Sequence, residues 1–481
     1  MGRPFLSEMQ SRIHRSLLRD RPVRWHTVGV PVGLISILLV VYGVGVVALF
    51  TTGRVGLVLA TTFLVVPVAA ALAVVRPEWI LLVVVLLPPS LMGQVPPTQM
   101  TAVVLVTLFG FLLHGRLHLG PRTGIYPLVA IIALAIVMKA DAPAEATAAA
   151  DTLLKHLIYY TLLMLAAFQA TANERLRVDS FVNALILGAV VTAILQPFVN
   201  ADTTFESVAH TPFQGQFAYI AAMAFGVSYV RYSLATGGSR RALDGFVSVV
   251  FLGATVLGWA RIMWIATLFI FALVSRWTGK KSFWIASSLI LVIALTVPLV
   301  GERILPVGSG DITDTETIDR ITSGRSVLWE DLWRRGAEAL PWGNGWGYMW
   351  SLTPVDLFGF EGAFTAGDNP FVYPHNDFLF VFLELGILGL GLLIGFWIQL
   401  LRRVRLVSRA HDEAARFGVR VLVPILVVGF LVQLFDNGFA IRPVAERFFL
   451  AAGLVFGLIF SWQRTAAESV VNSPFEGPEL A

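Results

Sequence analysis

Pro374-His375-Asn376-Asp377-Phe378-Leu379-Phe380-Val381-Phe382-Leu383-Glu384-Leu385-Gly386-Ile387-Leu388-Gly389 opens an apolar run that continues to Leu400, and Glu384 is its only charge after Asp377. Such a run is long enough to cross a hydrocarbon core of about 30 Å as one helix. An ionisable His and a hydrogen-bonding Asn therefore stand at the mouth of a membrane span. Imidazole has an unperturbed pKa of about 6.5, so at a wet membrane surface it is suited to exchanging a proton with a substrate hydroxyl. The plainer reading is a helix-mouth residue without chemistry, and the rest of the chain has to decide between the two.

Working outward, 56% of the 481 residues are hydrophobic and 14% are charged, with a mean hydropathy of +0.76. A water-soluble surface needs far more polar side chains, so the chain reads as an all-α polytopic membrane protein. There is no Cys, which removes disulfides, thiolate catalysis and Cys-ligated metal and leaves an extracytoplasmic site open. The net charge of +4 is spread over loops, with no basic tract to hold nucleic acid.

Residues 1–27 carry Arg3, Arg12, Arg15, Arg19, Arg21 and Arg24 ahead of the apolar stretch Val28 to Phe50, which predicts a basic cytoplasmic N-terminus and an uncleaved first span. Further apolar runs bring the expected total to about 14 crossings within 28–461, or 12 if the pair at 79–113, marked by Pro88-Pro89 and Pro96-Pro97, is re-entrant. Residues 462–481 read as a cytoplasmic tail. This threading puts 24 of the 35 basic residues inside, as the positive-inside bias requires. It leaves 301–376 as the one long extracytoplasmic loop.

Within that loop, Trp329, Leu332, Trp333 and Leu340 form one stripe, with Glu330/Arg334 and Asp331/Arg335 opposite, predicting an amphipathic helix near 326–340 along the membrane surface. Five of the 13 Trp fall between Trp329 and Trp350, which suits an interface belt and equally stacking on sugar rings, the belt being favoured. Pro341-Trp342-Gly343-Asn344-Gly345-Trp346-Gly347 predicts a tight turn with accessible amides, a weak phosphate signal without a strand before it. Arg261 lies between two apolar runs at an outer helix junction, as a snorkelling cation or one with a task. Arg325 falls on the same face. Two guanidinium groups beside His375 would make an anion site flanked by a base. There is no HExxH and no outward carboxylate pair at metal-ligand spacing, which points away from a metal.

Arg261 at its junction, Ser323-Gly324-Arg325-Ser326-Val327-Leu328-Trp329, Trp342 to Gly347, His375 to Leu379 and Leu383 to Gly389 together resemble the O-antigen ligase and O-antigen polymerase superfamily. The likeness covers roughly Phe181 to Ser461 in layout, and its specific part is Gly258 to Glu384. It implies a helical fold of the membrane glycosyltransferase C type in the bacterial inner membrane. It also implies transfer of a glycan from a polyprenyl diphosphate donor to a glycan, lipid or other hydroxyl acceptor outside the membrane, without cofactor or metal. His375 would then be near the acceptor, Arg261 on the diphosphate, and Arg325, Asn376 and Trp346 among the substrate contacts. The family's usual second loop Arg is missing from Val208 to Gln216, so His210 or Gln214 would substitute, or Arg325 or Lys155 would reach in. Two rivals are a peptidoglycan polymerase of the RodA/FtsW type, which shares an Asp377-to-Gly389-like stretch, and a transporter, which would place charges at mid-membrane.

Overall fold

The computed structural model describes residues 76–87, 97–114, 117–141, 143–199, 216–234, 238–258, 260–279, 325–352, 374–408 and 412–472. The expected first spans, the predicted crossing at Phe283 to Val300, the greater part of the long loop, and His210 and Gln214 lie outside them. The helices are α1 (Pro77–Leu86), α2 (Pro97–Leu113), α3 (Tyr126–Val137), α4 (Ala144–Ala172), α5 (Val178–Val199), α6 (Gln216–Leu234) and α7 (Gly238–Leu257). They continue with α8 (Arg261–Thr278), α9 (Arg325–Glu338), the single turn α10 (Tyr348–Ser351), α11 (Asp377–Ser408), α12 (Glu413–Phe435) and α13 (Arg442–Asn472). Among the described residues there are no strands, and five helices, α4, α8, α11, α12 and α13, are long and apolar enough to cross a membrane. The chain is an all-α polytopic membrane protein.

At ten residues α1 spans about 15 Å, too short to cross. Its C-terminal carbonyls, which no further turn satisfies, are met by the buried Arg447: Nη2 donates to Val85 O at 2.9 Å and to Leu87 O at 3.3 Å. The centre of the bundle is α4 against α13, running parallel, with Tyr159 beside Glu446 near one end and Glu174 beside Ser461 near the other. Gly453 and Gly457 let the two backbones touch. A Cβ on Gly457 would fall 2.7 Å from the Phe168 carbonyl oxygen, and one on Gly453 would collide with that of Met164. In a lipid solvent such close contact, rather than apolar burial, holds helices together.

α8 and α12 run antiparallel, since Arg420 near the start of α12 lies 5.5 Å from the Trp277 ring near the end of α8. Sixteen residues of helix, about 24 Å, separate Trp277 from Arg261 and Arg420 from Asp436 alike. Arg261 therefore stands at the end of the bundle where α12 finishes.

The run from Asp377 does not form the single straight span expected of it. Gly386 has φ 61 and ψ −154, outside any helix. The rings of Phe378 and Trp397 both pack on Phe430, at 6.1 and 4.9 Å, although a straight helix would set them about 28 Å apart. Residues 377–385 thus form a half-helix, the chain folds back at Gly386, and 387–408 makes the crossing. Gly389 permits the return, because its Cβ position lies 3.0 Å from Val381 Cγ1. The helices also carry buried charge. Glu384, Arg442, Glu446 and Arg447 are all buried, the last three in the first turns of α13.

Candidate active site at the start of the half-helix

His375, Asn376 and Asp377 each do something different. Asn376 Oδ1 accepts the Leu379 N–H at 2.9 Å, which makes it the N-cap of the half-helix before anything else. Asp377 is buried, and its Oδ2 accepts the Phe439 N–H at 2.9 Å, fixing the turn between α12 and α13. That turn in its place holds His375. The backbone N–H of His375 donates to Asn437 Oδ1 at 2.9 Å, and its Nδ1 lies 2.9 Å from Asp436 Oδ1. These contacts sustain a φ of 50, sparsely populated for a residue with a Cβ.

Asp436 is the orienting group. Its Oδ2 accepts the Tyr219 hydroxyl at 2.5 Å, and its Oδ1 also accepts the Asn437 N–H at 2.9 Å. Burial alone would raise the Asp436 pKa; the hydrogen bonds from His375 and Tyr219 outweigh it and keep the carboxyl below the usual carboxylate range. An ionised carboxylate on Nδ1 leaves Nε2 as the imidazole's basic nitrogen, and the side chain is 37% exposed.

The loop helix comes to the same corner. Arg325 Nη1 donates to the Phe435 carbonyl at 2.5 Å, one residue before Asp436, and Trp329 Nε1 donates to the Pro374 carbonyl at 2.7 Å, one residue before His375. Arg325 and His375 are thus joined through neighbouring residues, and Arg261 stands at the same end of the bundle. α9 begins one residue earlier than expected and ends at Glu338. Its aromatic stripe seats on protein: Leu332 is buried, and Trp333 stacks on Phe382 at 4.6 Å while staying 56% exposed. The expected Glu330/Arg334 pairing is replaced by Arg334 with Asp331 and Glu338, beside Arg335 with Asp331.

Trp346 does not face the site. It is 1% exposed, its Nε1 donates to the Ala150 carbonyl at 3.0 Å, and Phe380 packs against it at 5.4 Å, so no ring face is left for a sugar. The glycine-rich turn likewise presents its amides to protein. Asn344 N–H and Gly345 N–H donate to the Leu383 and Glu384 carbonyls, both at 2.9 Å, capping the half-helix, while Gly347 N–H and Met349 N–H donate to the Glu384 carboxylate. Gly343, at φ 81, sits against Gly386 at the fold-back.

Below the corner lies a buried group that the sequence reading missed. Arg442 Nε donates to Glu446 Oε1 at 2.8 Å, as does the Tyr159 hydroxyl at 3.0 Å, and the Tyr160 hydroxyl donates to the Phe439 carbonyl at 3.2 Å. Tyr219 and Asp436 were missed as well. The signal for Asp436 was present: Asp436-Asn437-Gly438 ends an apolar run at the predicted outer level of His375. Among the described residues no group of three or more His, Asp or Glu converges as a metal site would require.

A family model described as O-antigen ligase matches residues 246–394, from within α7 through the loop helix, His375 and the fold-back. No curated protein matches the chain.

Proposed function

We propose that this chain belongs to the O-antigen ligase and polymerase superfamily and transfers a glycan from a polyprenyl diphosphate carrier to an acceptor hydroxyl on the extracytoplasmic side of the bacterial inner membrane. The observation that carries the reading is the half-exposed imidazole of His375 turned by Asp436 beside the Arg325 helix. In the reaction the acceptor oxygen attacks the anomeric carbon and the bond from that carbon to the diphosphate oxygen breaks. The hydroxyl proton passes to His375 Nε2, and the carrier leaves as its diphosphate. Diphosphate is a good leaving group, so the protein's work is to hold it with cations, exclude water and take one proton. Arg325 and Arg261 supply guanidinium groups suited to two-pronged contact with phosphate. Neither ATP nor a nucleotide sugar is required, and attack opposite the leaving group inverts the anomeric centre.

The test is transfer by the purified protein in nanodiscs, given a radiolabelled lipid-linked glycan and an acceptor but no nucleotide. Label should move to the acceptor, or build a ladder if the acceptor is a second carrier-linked chain. Dependence on a nucleotide sugar, or movement of intact donor across the bilayer without bond cleavage, would sink the reading.

A further inference from the structure

Glu384 is a fully buried carboxylate that the proton transfer does not use. It lies in the last turn of the half-helix, where unpaired carbonyls make the end negative and a second negative group is disfavoured. Both of its oxygens are nevertheless satisfied from outside that helix. Oε2 accepts the Gly347 N–H, and Oε1 accepts the Met349 N–H at 2.6 Å. With the Asn344 and Gly345 amides on the carbonyls of Leu383 and Glu384, four N–H groups of one turn end on two residues of the half-helix. Two of the groups assigned to chemistry belong to the elements this joint connects. Arg325 starts α9, which leads into the turn, Gly336 of α9 packs on Phe382 and Leu383, and His375 precedes the N-cap of the half-helix at its other end.

We propose that Glu384 is a positioning residue, whose carboxylate clamps the glycine-rich turn onto the half-helix and so sets the spacing between Arg325 and His375. The proposal rests on the reading of those two residues given above. It requires a carboxylate specifically, because two N–H donors converge on it. The amide of a Gln offers one acceptor oxygen and one NH2, which would face a donor.

The first measurement is hydrogen exchange in nanodiscs without substrate. In Glu384→Gln the amides of 343–349 should exchange about tenfold faster or more, as expected when a local unit opens, while those of 126–137 keep their rates. Met349→Pro removes one donor with the carboxylate intact and should produce the same local change, so the result does not depend on one variant folding. The second measurement uses the absence of Cys from the chain. A Cβ on Gly336 falls 2.6 Å from the Phe382 ring, in space that Phe382→Cys vacates, so Gly336→Cys with Phe382→Cys is placed for a disulfide between α9 and the half-helix. Oxidised, this tether should restore most of the kcat/KM for the donor that Glu384→Gln loses, and reduction should abolish the rescue. Unchanged exchange at 343–349 in both variants overturns the clamp, and faster exchange without rescue by the tether overturns the positioning role. Because exchange is read without substrate, an inactive wild type would sink the transferase reading and leave the clamp standing.

Discussion

His375 is held on three sides, by Asn437 on its backbone, Asp436 on its ring and Trp329 through Pro374, yet its side chain stays partly exposed. His375→Ala should therefore give a folded, inserted protein whose turnover falls about 10²-fold to 10⁴-fold, the usual loss of general-base help. Turnover within a few-fold of wild type would end the assignment. Asp436→Asn keeps the shape but not the charge that fixes Nδ1–H, and should lower kcat with little change in KM for the donor. Since the Asp436 pKa is lowered, its contribution to stability is complete above the ordinary carboxylate value near 4 and is lost as pH falls through the lower folded value. Wild type should then melt above Asp436→Asn at pH 5 and higher, and the two melting temperatures should converge only in strong acid. Arg261→Lys should fail to restore transfer, because an ammonium cannot make a two-pronged phosphate contact; full activity would favour snorkelling. His375, Arg325 and Arg261 stand out in the sequence as candidates because a charge beside an apolar run is conspicuous. The contacts of Asp436 with His375 and Tyr219 do not, because they join residues 61 and 217 positions apart.

Among the elements, α9 was legible almost to the residue, since its apolar stripe and its charges share the helical period. The fold-back in α11 was not, because hydropathy is blind to direction and 377–400 reads as one span whichever way its first turns run. Its marker was Gly386, which combines a φ of 61 with a position where any Cβ would collide with the Pro341 carbonyl oxygen. Gly386→Ala should undo the packing of turn and half-helix together, seen as loss of both transfer and monodisperse protein. In α9, Arg325→Ala should depress transfer far more than Arg334→Ala at equal expression. Arg334 itself is exposed, and its ion pairs with Asp331 and Glu338 within the helix contribute little where solvent screens them. Equal losses in the two variants would remove Arg325 from the site.

At the scale of the whole molecule, α4 and α13 touch backbone to backbone through Gly453 and Gly457. Gly453→Val forces these backbones apart and should cost about 1 to 3 kcal/mol or more, measured as a lower melting temperature in detergent. Gly253→Val, where an added Cβ meets nothing within 4 Å, is the matched control and should leave it unchanged. The fold-back at Gly386 also bears on how such a chain is made. Residues 341–349 leave the ribosome before 377–385 do, so the cap is synthesised ahead of the helix it caps. The next apolar segment reads as one long span, yet its first nine residues pack against that earlier turn. The order of the sequence thus makes the cap available before the half-helix that it caps.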